Sequence, residues 1–278
     1  MMNIELEQGF SISNDSQFFL ISGPCVIESE EQVLKTAKEL TRISNKHNID
    51  LVFKSSFDKA NRSSINSYRG PGLDRGLEIL QQVKNEFEMP IITDFHSPEQ
   101  AAPVAEVVDI LQVPAFLSRQ TDMLTAAGET GVPINVKKGQ FLSADGMDNV
   151  VEKIESTGND QVMLCERGAM FGYNNLVVDM RNIEIMKELG NPVIFDATHS
   201  VQRPGARGDS TGGDRRFAPA LAQASLGVGV AGIFAEVHPD PPSAKSDAAT
   251  QLQLDGFEAI VKDWKKIDTV VKNNENEE

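Results

Sequence analysis

Cysteine is scarce in this chain: Cys25 and Cys165 are the only two thiols in 278 residues. A disulfide framework is therefore not expected, and in a reducing, cytosolic setting each thiol is packed, catalytic or metal-bound. Long apolar runs are lacking as well. None approaches the roughly 18–20 residues a membrane-spanning helix needs, and the opening "MMNIELEQGF" has no basic-then-apolar order, so neither a span nor a secretory signal is expected. Basic residues are outnumbered, with 26 Lys plus Arg against 41 Asp plus Glu and a formal net charge of −15. That balance excludes nucleic acid as a natural partner, because such binding rests on neutralising phosphates. A small anionic ligand must then be captured by a local knot of cations against the overall field.

What the chain does have is an ordinary globular composition, 40% hydrophobic, arranged as a repeat. Eight apolar, β-rich runs recur: "FFLISG", "DLVFKSSF", "PIITDF", "DILQVP", "PINVKK", "QVMLCERG", "PVIFDATH" and "GVAGIFAEVH". Each is followed by a polar or Gly/Pro-bearing turn and then by residues at helical spacing. Val33, Ala37, Leu40 and Ile43 share one helical face, as do Met147, Val150, Val151 and Ile154. Eight such units predict one (β/α)₈ barrel domain over 1–278, for which about 250 residues is typical. The competing fold, an open doubly wound sheet, lacks the G-x-G-x-x-G turn of a dinucleotide site. Three segments lie outside the repeat. Residues 1–14 alternate around Gly9 and are either a hairpin closing the barrel bottom or a frayed terminus. Residues 202–217, "QRPGARGDSTGGDRRF", carry Arg203, Arg207, Arg215 and Arg216 and read as a mobile lid over an anion. The final "KNNENEE", 272–278, reads as a solvated acidic tail.

In such barrels the active site lies at the C-terminal strand ends, so polar residues late in each run are informative. They are Cys25, Lys54 and Ser56, Asp94 and His96, Gln112, Lys137, Arg167, His199, and Glu236 with His238. Strand alternation pairs Lys54 with Ser56, Asn135 with Lys137, Cys165 with Arg167, Ala197 with His199, and Glu236 with His238. Any one of these is ordinarily a solvated rim charge. Three bases on three strands, with thiol, imidazole and carboxylate on three others, instead suggest an anion pocket beside a metal site. "DKANRSS" adds Lys59, Arg62 and Ser63, enough for a second anionic group. Cys25 itself stays open at this level between metal ligand, buried small hydrophobe and nucleophile; the mixed donor set Cys25, His199, Glu236 and Asp247 suits a divalent transition metal.

"SGPCVIES", "FKSSFDKANRSSINSYRGPGL", "LQVPAFLSRQTD", "INVKKGQF", "CERGAMFGYNNLVVDMRN", "FDATHSVQRPG" and "EVHPDPPSAKSDAATQL" together resemble the 3-deoxy-D-manno-octulosonate 8-phosphate synthase family. The resemblance runs in order from about residue 18 to 254. The sister enzyme of aromatic biosynthesis, which uses erythrose 4-phosphate, shares Gly-Pro-Cys but carries Lys-Pro-Arg where this chain reads Lys59-Ala60-Asn61-Arg62-Ser63. The resemblance implies condensation of phosphoenolpyruvate with arabinose 5-phosphate in the Kdo branch of lipopolysaccharide biosynthesis. It places Lys54, Ser56, Lys59 and Lys137 around the carboxylate of phosphoenolpyruvate, and Lys137, Arg167, Gln112 and the backbone of Ala115 around its phosphate. Asn61, Arg62 and Ser63 would receive the pentose phosphate, across a subunit boundary of the tetramer usual in the family. Cys25 in place of Asn, with "SDAATQ", resembles the metal-dependent class. By that match Cys25, His199, Glu236 and Asp247 hold a divalent ion such as Mn²⁺, Zn²⁺ or Fe²⁺, and Lys59, His199 and a metal-held water are the candidates for moving protons. The competing functions are the erythrose 4-phosphate reaction and a non-catalytic barrel that binds a phosphorylated metabolite.

Overall fold

The computed structural model describes residues 2–62, 64–204 and 212–275. Every one of the eight apolar runs forms a parallel strand. In chain order these are β1 (Phe19–Gly23), β2 (Leu51–Lys54), β3 (Ile91–Asp94), β4 (Ile110–Val113), β5 (Ile134–Lys137), β6 (Val162–Glu166), β7 (Val193–Asp196) and β8 (Gly232–His238). Each pairs with the next, and β8 returns to β1 with Phe234 opposite Ile21 and Glu236 opposite Gly23, so the sheet closes. The helices between and after them are α1 (Glu30–His47), α2 (Leu73–Phe87), α3 (Ala101–Ala105), α4 (Thr121–Glu129), α5 (Asp148–Glu155), α6 (Arg181–Glu188), α7 (Ala218–Val228) and α8 (Phe257–Glu275). The result is the (β/α)₈ barrel that the repeat predicts.

Local chemistry sets these boundaries. Helix α1 begins where Ser29 accepts from the Gln32 N–H, carries Glu30 and Glu31 in its first turn and Lys46 and His47 in its last, and stops at Asn48 in the left-handed conformation. Each feature complements unpaired backbone groups or the helix dipole. Val33, Ala37, Leu40 and Ile43 are buried, as their spacing requires.

Strand parity builds two cores. Outward residues such as Phe53, Leu111, Val136 and Phe195 pack under the helices, while Phe19, Ile21, Val52, Ile92, Ile110, Met163, Cys165, Ile194 and Phe234 fill the barrel interior. Cys165 is thus a small apolar group, its thiol pushed up to about 12 by burial. The N-terminal residues complete the interior. Ile4–Glu5 pairs antiparallel with Ser11–Ile12, and Ile4, Leu6 and Ile12 join the interior cluster. Phe10 packs on Phe19 with centroids 6.1 Å apart, at the end where the strands start. Gly23 occupies the next inward position of β1 above Ile21. A Cβ there would lie 1.9 Å from the Lys54 carbonyl oxygen, so the close approach of β1 and β2 at the rim requires glycine.

The two other segments set apart from the repeat differ in outcome. Of 202–217, residues 205–211 lie outside the described residues; flanking them, Gln202–Arg203 pairs antiparallel with Gly212–Gly213. Of 272–278, Lys272 belongs to α8, is buried, and donates to the carbonyls of Ser16 and Val230 beside Asp268, while 276–278 lie outside the described residues.

Candidate active site

Above the apolar interior, the inward positions turn polar together. Lys54 follows Val52, Asp94 follows Ile92, Gln112 follows Ile110, Lys137 follows Asn135, Arg167 follows Cys165, Asp196 follows Ile194 and Glu236 follows Phe234. They line or underlie a cavity of about 340 Å³ at the C-terminal rim, walled further by Lys59, Asn61, Arg62, Ala115, Phe116, His199 and Asp247. Ser63 lies outside the described residues.

Each cation of the floor is held by named partners. The Lys54 ammonium donates to Glu236 Oε1 at 2.6 Å and to the Cys25 carbonyl at 3.0 Å. Lys137 donates to Asp196 Oδ2 at 2.6 Å and stands 3.1 Å from the Phe234 ring centroid. Arg167 donates to Gln140 Oε1 at 3.1 Å and Gln202 Oε1 at 2.7 Å. On the adjoining wall Lys59 donates to Ser56 Oγ at 2.9 Å, Ser56 donates to Asp94, and His96 donates to the other Asp94 oxygen at 3.0 Å. Burial opposes the charge on Asp94, but Lys59 and His96 outweigh it and hold the carboxyl well below its usual range. Burial likewise opposes charge on Lys59, and Cys25, Asp94, Glu236 and Asp247 overcome it to raise the pKa of the amine. Arg62 is anchored by donating to the carbonyls of Tyr68 at 3.0 Å and Lys245 at 3.2 Å.

Beside these cations the donor atoms of Cys25, Glu236 and Asp247 lie within 4.8 Å of one another, a possible metal site. His199 Nε2 stands 3.7 Å from both Glu236 Oε1 and Asp247 Oδ2, so the four residues singled out in the sequence converge. Their chemistry fits a cation. Burial, together with Glu236 and Asp247, pushes the Cys25 thiol well above its ordinary value, with Lys59 and Lys54 opposing, and Glu236 Oε2 is buried with no hydrogen-bond partner. A dication would answer both, since thiolate and carboxylate are its ligands. Cys25 Sγ also lies 2.9 Å from Ser246 Oγ, and the Cys25 N–H is taken by Gln251 Oε1 at 3.1 Å. Asp247 adopts a positive φ of 45°, a conformation that aspartate tolerates and that is concentrated at functional turns.

The structure corrects three details. Ala197 does not share a face with His199: β7 ends at Asp196, Ala197 packs in the outer core, and a turn carries His199 back to the cavity. His238 is not part of the rim constellation; it accepts from the Asp240 N–H at 3.0 Å and faces Glu28 at 3.5 Å. Arg215 and Arg216 do not line the cavity, the first donating to the Ala248 carbonyl and the second pairing with Asp214 at 2.6 Å; Arg207 lies outside the described residues. Sequence reasoning also missed Asp196, Gln140, Gln202, Ser246 and Gln251. Only Asp196 had a usable signal, its even spacing from the apolar Ile194 within β7.

The chain matches the model of the DAHP synthetase I family over residues 1–273. It is 53% identical over 264 residues to the 2-dehydro-3-deoxyphosphooctonate aldolase of Francisella tularensis subsp. holarctica, covering 95% of this chain and 96% of that one. Proteins of the same name from Dichelobacter nodosus, 54% identical over 266 residues (96% of each chain), and Rickettsia bellii, 53% over 272 residues (98% and 99%), are similarly close. With matches of this extent lying over a barrel whose rim carries the expected cations, this chain belongs to the DAHP synthetase I family.

Proposed function

We propose that this chain condenses phosphoenolpyruvate with D-arabinose 5-phosphate and water to give 3-deoxy-D-manno-octulosonate 8-phosphate and inorganic phosphate, in Kdo biosynthesis. The observation that carries the reading is the convergence of Lys54, Lys59, Lys137 and Arg167 on one cavity beside the Cys25, Glu236 and Asp247 cluster. The shared name of relatives more than half identical over nearly the whole chain supports the eight-carbon product.

In this reading Lys54, Ser56, Lys59 and Lys137 seat the carboxylate of phosphoenolpyruvate. Lys137, Arg167, Gln112 and the Ala115 backbone seat its phosphate, and Asn61, Arg62 and Ser63 receive the pentose phosphate. Fixed cations offset the repulsion between two anions held close together, and positioning supplies much of the rate. C3 of phosphoenolpyruvate attacks the sugar aldehyde, water adds at C2, and the C–O bond to phosphate breaks. Lys59, kept as an ammonium by its acidic neighbours, serves to hold an anion and not to accept a proton. For His199, burial works against the charged form, while Asp196 and Glu236 more than compensate and raise its pKa, an effect of the free acids that a bound cation opposes, since a ligating imidazole is neutral. Cys25, His199, Glu236 and Asp247 would hold a divalent ion, which when bound supplies Lewis-acid polarisation of an oxygen. Cys25 is thereby a ligand and not a nucleophile. A homotetramer in the cytoplasm belongs to the same reading; the exposed Phe141, Phe171 and Tyr173 offer apolar surface for contact between copies without fixing their number, and the two free thiols suit a reducing compartment.

The test is phosphate release from phosphoenolpyruvate with each of two sugars, before and after chelation. Release with arabinose 5-phosphate, loss on chelation and recovery with Mn²⁺ or Zn²⁺ are expected. Preference for erythrose 4-phosphate would overturn the substrate assignment, and full activity after thorough chelation would remove the metal while leaving the reaction standing. Ligand-induced stabilisation without turnover on either sugar would leave only a binding barrel.

A further inference from the structure

We propose that Asp196 is a positioning residue that couples the anion seat to the metal seat, through one carboxylate oxygen shared by Lys137 and His199. The proposal rests on the preceding reading of those two seats. Asp196 is the last residue of β7 and is completely buried. Its Oδ2 accepts from Lys137 Nζ at 2.6 Å and from His199 Nδ1 at 2.7 Å, and its Oδ1 accepts from the His199 backbone N–H at 2.9 Å.

The two bonds to His199 fix both the backbone and the ring of a residue that lies beyond the strand. Committing the proton to Nδ1 leaves Nε2 as the ring nitrogen that faces Glu236 and Asp247, the arrangement by which an outer carboxylate orients an imidazole ligand. The bond to Lys137 reaches across from β5, past β6, and fixes the ammonium above the Phe234 ring. Asp196 is an anion beneath an anion seat, so it acts through Lys137 and His199 and not by touching substrate. Because both donors use Oδ2, their demands on it compete. An anion that draws Lys137 toward itself leaves Oδ2 more fully to His199 Nδ1, and the metal seat tightens. By linkage, metal held by His199 must then favour the anion to the same degree.

Asparagine has nearly the same shape but offers one acceptor oxygen where four donors converge, the fourth being Thr198 Oγ1 at 3.4 Å from Oδ1, and its amide N–H₂ would oppose at least one of them. The experiment is a titration of metal-stripped protein with Zn²⁺ against a chromophoric chelator, with and without saturating phosphoenolpyruvate, for the wild type, Asp196→Asn and Lys137→Met. Wild type should bind Zn²⁺ more tightly when phosphoenolpyruvate is present. Asp196→Asn should weaken Zn²⁺ binding about 10- to 100-fold without substrate and lose most of the enhancement. Lys137→Met, which frees Oδ2 for His199, should bind Zn²⁺ at least as tightly as wild type, and it decides the matter alone if the Asn variant does not fold. Folded Asp196→Asn with wild-type Zn²⁺ affinity, or Lys137→Met with weakened Zn²⁺ affinity, overturns the proposal. Wild type that takes up no Zn²⁺, or Lys137→Met that retains phosphoenolpyruvate binding, overturns the reading of the seats and the proposal with it.

Discussion

Replacing Lys54 with Met isolates how the rim tolerates its own charges. Lys54 and Glu236 form an ion pair at 2.6 Å with side chains 2% and 1% exposed, and Cys25 and Asp247 crowd the same carboxylate. Burial raises the pKa of Glu236, and Lys54 and His199 override it, so the carboxyl stays below its usual range. Methionine fills most of the lysine volume while deleting the charge and the direct ion pair, leaving only His199 and Lys59 to offset burial and Asp247 at Glu236. Breaking a buried pair from one side costs about 3–5 kcal/mol. At about 2–4 °C per kcal/mol for a domain of roughly this size, the melting temperature should fall by roughly 6–20 °C. The assay is thermal unfolding in excess chelator, followed by the same scan with Zn²⁺ or Mn²⁺. Metal at about 1,000 times its Kd adds about 4 kcal/mol, and the gain should be larger in Lys54→Met, where the ion replaces the missing counter-charge. Lys54→Met/Glu236→Gln removes the orphaned charge and should recover much of the loss. A single variant that melts within about 2 °C of wild type in chelator, or a double variant no better than the single, would refute the reasoning.

Arg62→Ala should raise KM for arabinose 5-phosphate far more than KM for phosphoenolpyruvate, read from paired steady-state titrations; equal losses would count against the pentose-phosphate seat. Asp94 has a folded pKa held down chiefly by Lys59 and His96 against the effect of burial. Its stabilisation is therefore complete above the unfolded value of 3.8 and is lost as pH falls through the lower folded value. Asp94→Asn should flatten the acid limb of stability below about pH 4 by at most about 1.4 kcal/mol per pH unit, measured by denaturant unfolding across that range; an unchanged slope would mean that Asp94 is not charged in the folded protein.

The fold was legible because the repeating signals are local. Each strand is a short apolar run closed by turn chemistry, and α1 carries its own cap, charge bias and apolar face, so its bounds of 30 and 47 follow from sequence alone. The polar strand ends were legible for a related reason: in a closed barrel the inward parity continues upward from the apolar interior, and Lys54, Gln112, Lys137, Arg167 and Glu236 simply extend it. Legibility stops where strands stop. Carrying the alternation past Asp196 paired His199 with Ala197 and hid the carboxylate that orients it. His238 keeps the correct parity, yet the turn after it supplies the Asp240 N–H and turns the ring toward Glu28. Gln140, Ser246 and Gln251 come from turns and bends, and Gln202 from a two-residue strand outside the barrel, whose paths the barrel's periodicity does not dictate.

This chain of net charge −15 places each cation of the rim against a chosen partner instead of presenting a basic patch, and the proposed anion binding has to work through those pairs. A lysine ammonium has three donors; Lys54 spends two on Glu236 and the Cys25 carbonyl, and Lys137 one on Asp196. Both remain able to donate while their charge is largely compensated, which in the proposed reading suits the singly charged carboxylate of phosphoenolpyruvate. Arg167 is different. Its guanidinium bonds are to the neutral amides of Gln140 and Gln202, which fix its plane without cancelling its charge. Such pairs stabilise a fold poorly compared with well-packed apolar groups, so their concentration at one rim, above an interior of Phe, Ile, Val and Met, is explained by the ligand and not by stability. In the proposed reading Arg167, like Arg62 with its two backbone carbonyl partners, keeps its fork for a phosphate, the group with the most charge to bind, in the bidentate geometry that arginine favours.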